Sequence, residues 1–249
     1  MITKAEIQKV RSLADKRGRE EYGLFVAEGE KIIRELCASE LHVTKIYALE
    51  GVMEDIEGVC RVSEKEMERL SMLKSANNSL ATVEIPRYDF DLAATEKRLV
   101  LALDDIGNPG NVGTLIRIAD WFGIEDVVCS PSTADCFNPK VIQATMGAII
   151  RVRVHYLELA PLLRRAAAAG TDIYGTFLEG DNIYETELGT SGIIVMGNEG
   201  RGISAEAGAS VTRKLFIPPY PADRRGSESL NVSAAASVVC SEFRRRSLR

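Results

Sequence analysis

The 249-residue chain is poor in several residues that common kinds of protein site require. It has only two histidines, His42 and His155, which lie far apart, so a zinc site built from histidine and cysteine is not expected. Its five cysteines are an odd number and include no Cys-x-x-Cys pair, which is typical of reduced thiols in a reducing compartment. We therefore expect no metal.

The chain also lacks a hydrophobic run of the roughly 20 residues that a membrane helix needs. Its continuous apolar stretches, such as residues 99–103 and 193–196, are far shorter. The first ten residues, MITKAEIQKV, alternate charged and apolar types and contain no apolar core of a signal peptide. These features predict a cytoplasmic protein without a membrane partner.

What the chain does contain is ordinary globular composition, with 45% hydrophobic and 27% charged residues and a net charge of −5. The length predicts one or two domains. Residues 213–249 carry eight basic and three acidic side chains. This C-terminal segment is therefore basic, although the whole chain is acidic. Such a segment predicts either a surface that binds a polyanion or a solvated tail.

The pattern of elements predicts two α/β domains joined by a linker. Residues 1–86 contain a helix at 4–14 capped by Thr3, strands at 43–49 and 81–85, and a helix at 63–73 capped by Ser63. Residues 87–97 are polar and acidic, lack periodicity and form the linker.

In residues 98–249, strands alternate with helices, which predicts a mostly parallel sheet. Predicted strands cover 99–103, 126–130, 149–154, 173–178, 192–196 and 214–217, and predicted helices cover 111–122, 138–146, 157–169 and 231–246. Ligands of such folds bind at the carboxyl ends of the strands.

Three segments that follow predicted strands combine glycine with polar side chains. They are residues 104–113, 196–203 and 217–236. Arg117 lies in the helix after the first segment, on the same face as Gly113. Each segment has a simpler interpretation as a tight turn, a flexible loop or a helix cap. Neither GxGxxG nor GxxxxGK[ST] occurs, which argues against a dinucleotide-dependent oxidoreductase.

Together the three segments resemble the SpoU (TrmH-like) branch of the SPOUT RNA methyltransferases. The matching motifs are Asn111-x-Gly113-x-x-x-Arg117, Met196-Gly197-Asn198-Glu199-Gly200-x-Gly202, and Ile217-Pro218 followed by Ser229-Leu230-Asn231-Val232-Ser233. This resemblance covers residues 98–246, and the stretch at 220–226 is longer and more basic than the family pattern. Residues 10–29 resemble the ribosomal-protein-like, RNA-binding substrate domain that often precedes this catalytic domain.

The resemblance implies a deep C-terminal trefoil knot, a homodimer with the site near its interface, and S-adenosylmethionine as cofactor. The implied reaction is methyl transfer to a ribose 2′-OH of rRNA or tRNA. An RNA-binding or assembly factor with the same fold and no turnover is the alternative interpretation.

Site residues follow from the motifs. The implied catalytic residues are Arg117, Asn111, Glu199, Ser229 and Asn231, and the implied cofactor-binding residues are Thr176, Gly197, Ile217 and Leu230. The expected RNA-binding residues are Arg11, Lys16, Arg17, Arg19, Arg224 and Arg225.

The chemistry of the central arginine limits its role. Because a guanidinium stays protonated, we expect Arg117 to clamp a phosphate and the developing alkoxide, oriented by the other four catalytic residues. The group that accepts the proton of the ribose hydroxyl is not assigned. Trp121, beside Phe122 at the end of a helix, is expected to pack inside the protein.

Overall fold

The structure, a computed structural model, describes residues 2–221 and 229–247 and divides into two compact units. Unit 1 comprises Met1–Arg87 and Asp135–Ile150, and unit 2 comprises Tyr88–Ala134 and Arg151–Arg249. The helices are α1 (Lys4–Ser12), α2 (Lys16–Tyr22), α3 (Glu30–Cys37), α4 (Glu64–Leu70), α5 (Pro109–Trp121), α6 (Pro139–Thr145), α7 (Leu159–Ala168), α8 (Ala205–Gly208) and α9 (Val232–Ser247). The strands are β1 (Leu24–Glu28), β2 (Val43–Ala48), β3 (Cys60–Arg61), β4 (Ser79–Glu84), β5 (Leu99–Asp104), β6 (Asp126–Cys129), β7 (Arg153–Tyr156), β8 (Ile173–Asn182), β9 (Gly192–Gly197) and β10 (Arg213–Phe216).

Unit 1 contains a four-stranded sheet in the order β1-β4-β2-β3, with β4 antiparallel to both of its neighbours. Two predicted helix starts are confirmed. The Thr3 hydroxyl accepts a hydrogen bond from the Glu6 amide at 3.2 Å, and Ser63 forms a capping box with Glu66. These caps satisfy amides that have no partner within the helix.

Helix α2 was not predicted, because its sequence reads as a basic loop around Gly18. A Cβ at Gly18 would lie 2.1 Å from the Ser12 carbonyl oxygen, so only glycine allows α2 to approach the end of α1. The Arg19 side chain is buried and donates to the Leu13 carbonyl at 2.7 Å and to Asp135 at 2.6 Å. Tertiary contacts therefore stabilise this helix.

Residues 135–150 cluster with unit 1, where the rings of Phe137 and Phe25 lie 5.0 Å apart. The predicted strand at 149–154 is wrong at its beginning, because Ala148–Ile150 forms a short 3-10 helix and β7 starts at Arg153. Met146 and Gly147 have φ of 51° and 91°, which turns the chain before that apolar stretch. The domain boundaries at residues 86 and 98, on either side of the proposed linker, stay a prediction.

Unit 2 contains a six-stranded sheet in the order β10-β8-β9-β5-β6-β7, and its described strand pairs are all parallel. The predicted parallel α/β fold is confirmed. β5 and β9 lie side by side at the centre, with Asp104 opposite Gly197 at their carboxyl ends. Helices α5 and α9 pack against each other. No helix within residues 2–221 and 229–247 is long and apolar enough to cross a bilayer.

A buried carboxylate anchors the beginning of β6. Asp126 accepts hydrogen bonds from His155 Nε2 at 2.9 Å, from Arg153 Nε at 2.8 Å and from Arg98 Nη2 at 2.7 Å. Burial raises the pKa of Asp126, but the hydrogen bonds from His155 and Arg153 and the arginine charges outweigh it and hold the pKa below its usual range. The ionised carboxylate thus stabilises the fold above its ordinary pKa of 3.8, and this contribution is lost as the pH falls further.

We predict that Asp126→Asn lowers the free energy of unfolding by about 3 kcal/mol at pH 7, because it removes the buried carboxylate charge that pairs with the partly exposed Arg98 and Arg153. Urea unfolding followed by circular dichroism measures this loss. Asp172→Asn is the matched control, since Asp172 pairs with Arg213 at 3.3 Å on the surface of the same unit. Asp172→Asn should lower the free energy of unfolding by less than about 1 kcal/mol. Equal losses in the two variants would contradict the stabilising role of the Asp126 carboxylate.

Candidate functional site

The site lies where the chain leaves the two central strands of unit 2. Because Asp104 at the end of β5 pairs with Gly197 at the end of β9, the segments that follow are neighbours. We call residues 105–108 loop 1, residues 198–204 loop 2 and residues 217–231 loop 3. The structure describes loop 3 at residues 217–221 and 229–231.

Helix α5 begins two residues earlier than the sequence predicts. The Asn108 side chain accepts a hydrogen bond from the Gly110 amide at 2.8 Å, and Pro109 occupies the first helical position. Proline is favoured there because its fixed φ suits a helix and its missing N–H has no partner to lose. Asn111 therefore lies in the first turn of the helix and not in a loop.

The Asn111 side chain joins the three segments. Its Nδ2 donates a hydrogen bond to the Glu199 carboxylate in loop 2, and its Oδ1 accepts one from Asn231 Nδ2 at 3.2 Å in loop 3. The hydroxyl of Ser233 donates to the Asn111 carbonyl at 3.4 Å. Three of the five predicted catalytic residues, Asn111, Glu199 and Asn231, are thus brought together.

The beginning of α9 fixes the direction of this network. Asn231 Oδ1 accepts hydrogen bonds from the amides of Ser233 at 3.0 Å and Ala234 at 3.4 Å, so its Nδ2 is the atom left to face Asn111. The chain of hydrogen bonds therefore runs from the helix terminus to a carboxylate. Buried Ser233 was not among the predicted catalytic residues, although the polar cluster at this helix start was visible in the sequence.

Loop 2 is shaped by its own asparagine, which sequence reasoning did not select. Asn198 Oδ1 accepts hydrogen bonds from the amides of Gly200 at 2.9 Å and Arg201 at 3.1 Å. Its Nδ2 donates to the Asp105 carbonyl in loop 1 at 2.8 Å. The Asp105 carboxylate in turn pairs with the Arg201 guanidinium. Loops 1 and 2 are thereby tied together.

Arg117 and Ser229 do not join the network. Both side chains are exposed, and no hydrogen bond or ion pair among the described residues connects the Arg117 guanidinium to Asn111, Glu199 or Asn231. The expectation that Trp121 packs is wrong, because its side chain is 82% exposed. It follows Arg117 by one helical turn, so α5 presents an arginine and a tryptophan on one exposed face.

Of the four predicted cofactor residues, Gly197 and Ile217 lie at strand ends, whereas Thr176 lies within β8 and Leu230 lies in loop 3 before α9. Thr176 follows the last residue of β8 that pairs with β9, and its hydroxyl donates to the Val195 carbonyl at 3.2 Å. Ile217 directly follows β10 and is half-buried. Leu230 is 54% exposed just before the Asn231 cap, an unusual position for an apolar side chain.

Gly197 is required by the protein's own backbone. A Cβ there would lie 2.2 Å from the Ile203 amide nitrogen, because Asn198 and Gly202 form an antiparallel bridge that folds loop 2 back on the end of β9. Exposed apolar carbon at Leu230 fits contact with the purine ring of an adenosine-type cofactor. His, Cys, Asp and Glu side chains within the described ranges form no group that could hold a metal ion.

The basic residues predicted to bind RNA fall into three groups. Arg11, Lys16 and Arg17 in unit 1 are exposed; Arg11 donates to the Ser71 carbonyl, and Lys16 pairs with Glu20 at 3.8 Å. Arg19 is buried and held by Asp135, so its observed role is structural, and this placement argues against an RNA contact. Arg224 and Arg225 lie outside the described residues.

Comparison with known proteins finds two family models that match the chain. A family model described as the SpoU rRNA Methylase family matches residues 98–241, and an MRM3-like substrate binding domain matches residues 4–81. The 23S rRNA (guanosine(2553)-2'-O)-methyltransferase RlmP of Bacillus subtilis (strain 168) is 29% identical over 252 residues, which cover 98% of each chain.

Solved structures share the whole fold. A protein assigned to the TrmH family of RNA methyltransferases, from Porphyromonas gingivalis, is 34% identical with a TM-score of 0.87 over 99% of each chain. The SpoU methyltransferase AviRb from Streptomyces viridochromogenes, solved in complex with AdoMet, is 21% identical with a TM-score of 0.86 over 99% of each chain.

We predict that Gly197→Ala destabilises unit 2 and loosens loop 2, because the added methyl group collides with the Ile203 backbone. Thermal unfolding and hydrogen exchange of the loop 2 amides measure the change. Gly107→Ala in loop 1 is the control, since its Cβ would meet no atom within 4 Å. Equal unfolding temperatures and equal exchange rates in the two variants would contradict the close approach of Gly197 to the Ile203 backbone.

Proposed function

Because this chain belongs to the SpoU rRNA methylase family, we propose that it transfers a methyl group from S-adenosylmethionine to a ribose 2′-OH of ribosomal RNA. The observation that carries the proposal is the hydrogen-bonded chain Glu199–Asn111–Asn231. It gathers three segments at the carboxyl edge of a parallel sheet, where folds of this class bind their ligands.

The cofactor would be held by Thr176 in β8, Gly197 at the end of β9, Ile217 after β10 and Leu230 in loop 3. Exposed Leu230 offers apolar surface to a purine ring. When bound, S-adenosylmethionine supplies a methyl group that its sulfonium already activates for transfer. The chain therefore has to position the RNA hydroxyl and stabilise its developing negative charge.

Arg117 is the residue that we assign to this charge. Its guanidinium is exposed and has no partner among the described residues. The positive charge of an arginine side chain and its planar fork of donors suit the binding of a phosphate. Arg117 would bind a phosphate next to the target ribose and stabilise the alkoxide that forms as the hydroxyl loses its proton. Asn111 and Glu199 would orient the ribose, together with Ser229 and Asn231.

Unit 1 would hold the rest of the RNA. Its exposed basic residues Arg11, Lys16 and Arg17 are suited to phosphate contacts, and the substrate-binding family model covers this part of the chain. Arg224 and Arg225 stay proposed RNA contacts from loop 3. A ribosomal substrate fits the cytoplasmic location that the sequence predicts, and the trefoil knot implied by the resemblance also stays a prediction.

We predict that Arg117→Ala lowers methyl transfer by roughly 10²–10⁴-fold, because the alkoxide loses its charge partner. Transfer of labelled methyl to total RNA from a strain lacking the gene measures the activity. Binding of S-adenosylhomocysteine should stay unchanged, since we place Arg117 on the RNA. Arg117→Lys keeps the charge without the planar fork and should recover part of the activity.

Two outcomes would contradict the proposal. One is the absence of S-adenosylhomocysteine binding to the wild-type protein. The other is RNA binding without any methyl incorporation, which would favour an assembly factor with the same fold. Mapping of 2′-O-methylation in the deletion strain identifies the missing nucleotide and separates rRNA from tRNA targets.

We further propose that the exposed face of α5 contacts a second copy of the chain. Trp121 is the one tryptophan of the protein and is 82% exposed, and aromatic side chains of this kind are enriched in the cores of protein interfaces. Arg117 lies one turn away on the same face, so a homodimer built here would have the active site near its interface.

We predict that Trp121→Glu converts a dimer to a monomer, because the interface would have to bury a charge. Sedimentation velocity gives the oligomeric state. Since the protein has a single tryptophan, the wild-type emission should move to longer wavelength as dilution separates the copies. A wild-type monomer at micromolar concentration, with fully exposed tryptophan emission, would contradict the proposal.

A further inference from the structure

Asp105 adopts a backbone conformation that its residue type rarely takes. It is the first residue after β5, and its φ is 58°. Side chains other than glycine are uncommon in this left-handed region, although aspartate and asparagine tolerate it best. Strain of this kind persists where surrounding contacts hold the residue in place.

Those contacts connect Asp105 to the ends of both neighbouring strands. Its amide donates to the Ser130 hydroxyl at 2.9 Å, directly after β6. Its carbonyl accepts from Asn198 Nδ2 at 2.8 Å, directly after β9. One residue therefore joins the three central strand ends of the sheet through its main chain.

The carboxylate of Asp105 makes a second set of contacts with loop 2. It pairs with the Arg201 guanidinium and lies 3.3 Å from Asn198 Nδ2. Asn198 and Arg201 are on either side of Glu199 in the sequence, and Glu199 is the residue that accepts the hydrogen bond from Asn111. The carboxylate thus holds both ends of the short segment that carries Glu199.

We propose that Asp105 is a positioning residue, which acts through Asn198 and Arg201 to hold Glu199 against Asn111. The effect on turnover rests on the function proposed above, whereas the effect on loop 2 does not. Asp105 touches neither RNA nor cofactor in this account. Its loss should therefore lower kcat and leave the KM for RNA unchanged.

Asp105→Gly is the sharpest variant, because glycine keeps the left-handed backbone and removes only the carboxylate. In the free protein, we expect the amides of Gly200, Arg201 and Gly202 to exchange hydrogen about tenfold faster than in the wild type. We expect kcat to fall about tenfold, since small misplacement of a catalytic group is costly. The melting temperature should not fall, because glycine relieves the strain at φ 58°.

Two variants and a control separate positioning from a merely structural role. Asp105→Asn tolerates the same backbone and still accepts a hydrogen bond, so it should recover most of kcat, while Arg201→Gln should resemble Asp105→Gly. Asp55→Asn removes an exposed aspartate that pairs with Arg34 in unit 1, and it should change neither loop 2 exchange nor kcat.

Unchanged loop 2 exchange and unchanged kcat in Asp105→Gly would overturn the proposal. A raised KM for RNA with unchanged kcat in Asp105→Gly and Arg201→Gln would also overturn the proposal, because that result would make Arg201 an RNA contact. If the wild-type protein transfers no methyl group, the proposed function fails, and the exchange measurement still decides whether Asp105 holds loop 2.

Discussion

The site depends on the side-chain amide of Asn111, which makes a hydrogen bond to each of two other segments. The parallel register of β5 and β9 places Asp104 beside Gly197, so the segments that follow these strands begin next to each other. Asn111 then holds Glu199 on one side and Asn231 on the other. Without this amide, the sheet would still bring the segments to one edge, but nothing would set the direction of the polar groups there.

Arg117 faces water on α5, and no hydrogen bond or ion pair among the described residues occupies its guanidinium. A guanidinium left free in this way can bind a phosphate without first breaking an ion pair, which lowers the cost of recognition. The exposed Trp121 lies one helical turn beyond Arg117, on the face for which we propose a contact with a second copy of the chain.

Much of this could be predicted from sequence because it depends on local patterns. Alternating strands and helices predict the parallel sheet, and the resemblance of the three polar segments to the SpoU family implies that Asn111, Glu199 and Asn231 meet. The rest depends on distant partners. Arg19 is held in its buried position by Asp135, which is 116 residues away. In the sequence, Arg19 cannot be distinguished from the other basic residues around Gly18. Residues 149–154, with the sequence IIRVRV, are too few for their pattern to separate a strand from a helical turn. The left-handed backbone of Asp105 has no sequence signal, since aspartate adopts it only where contacts require it.

We infer that Asn111 and Glu199 work as one unit. A double-mutant cycle with Asn111→Ala and Glu199→Ala, measured by methyl transfer to rRNA, tests this coupling. The double variant should lose little more activity than the more severely affected single variant, because either change breaks the same chain of hydrogen bonds. Losses that multiply in the double variant would show that the two residues act independently and would contradict the inference.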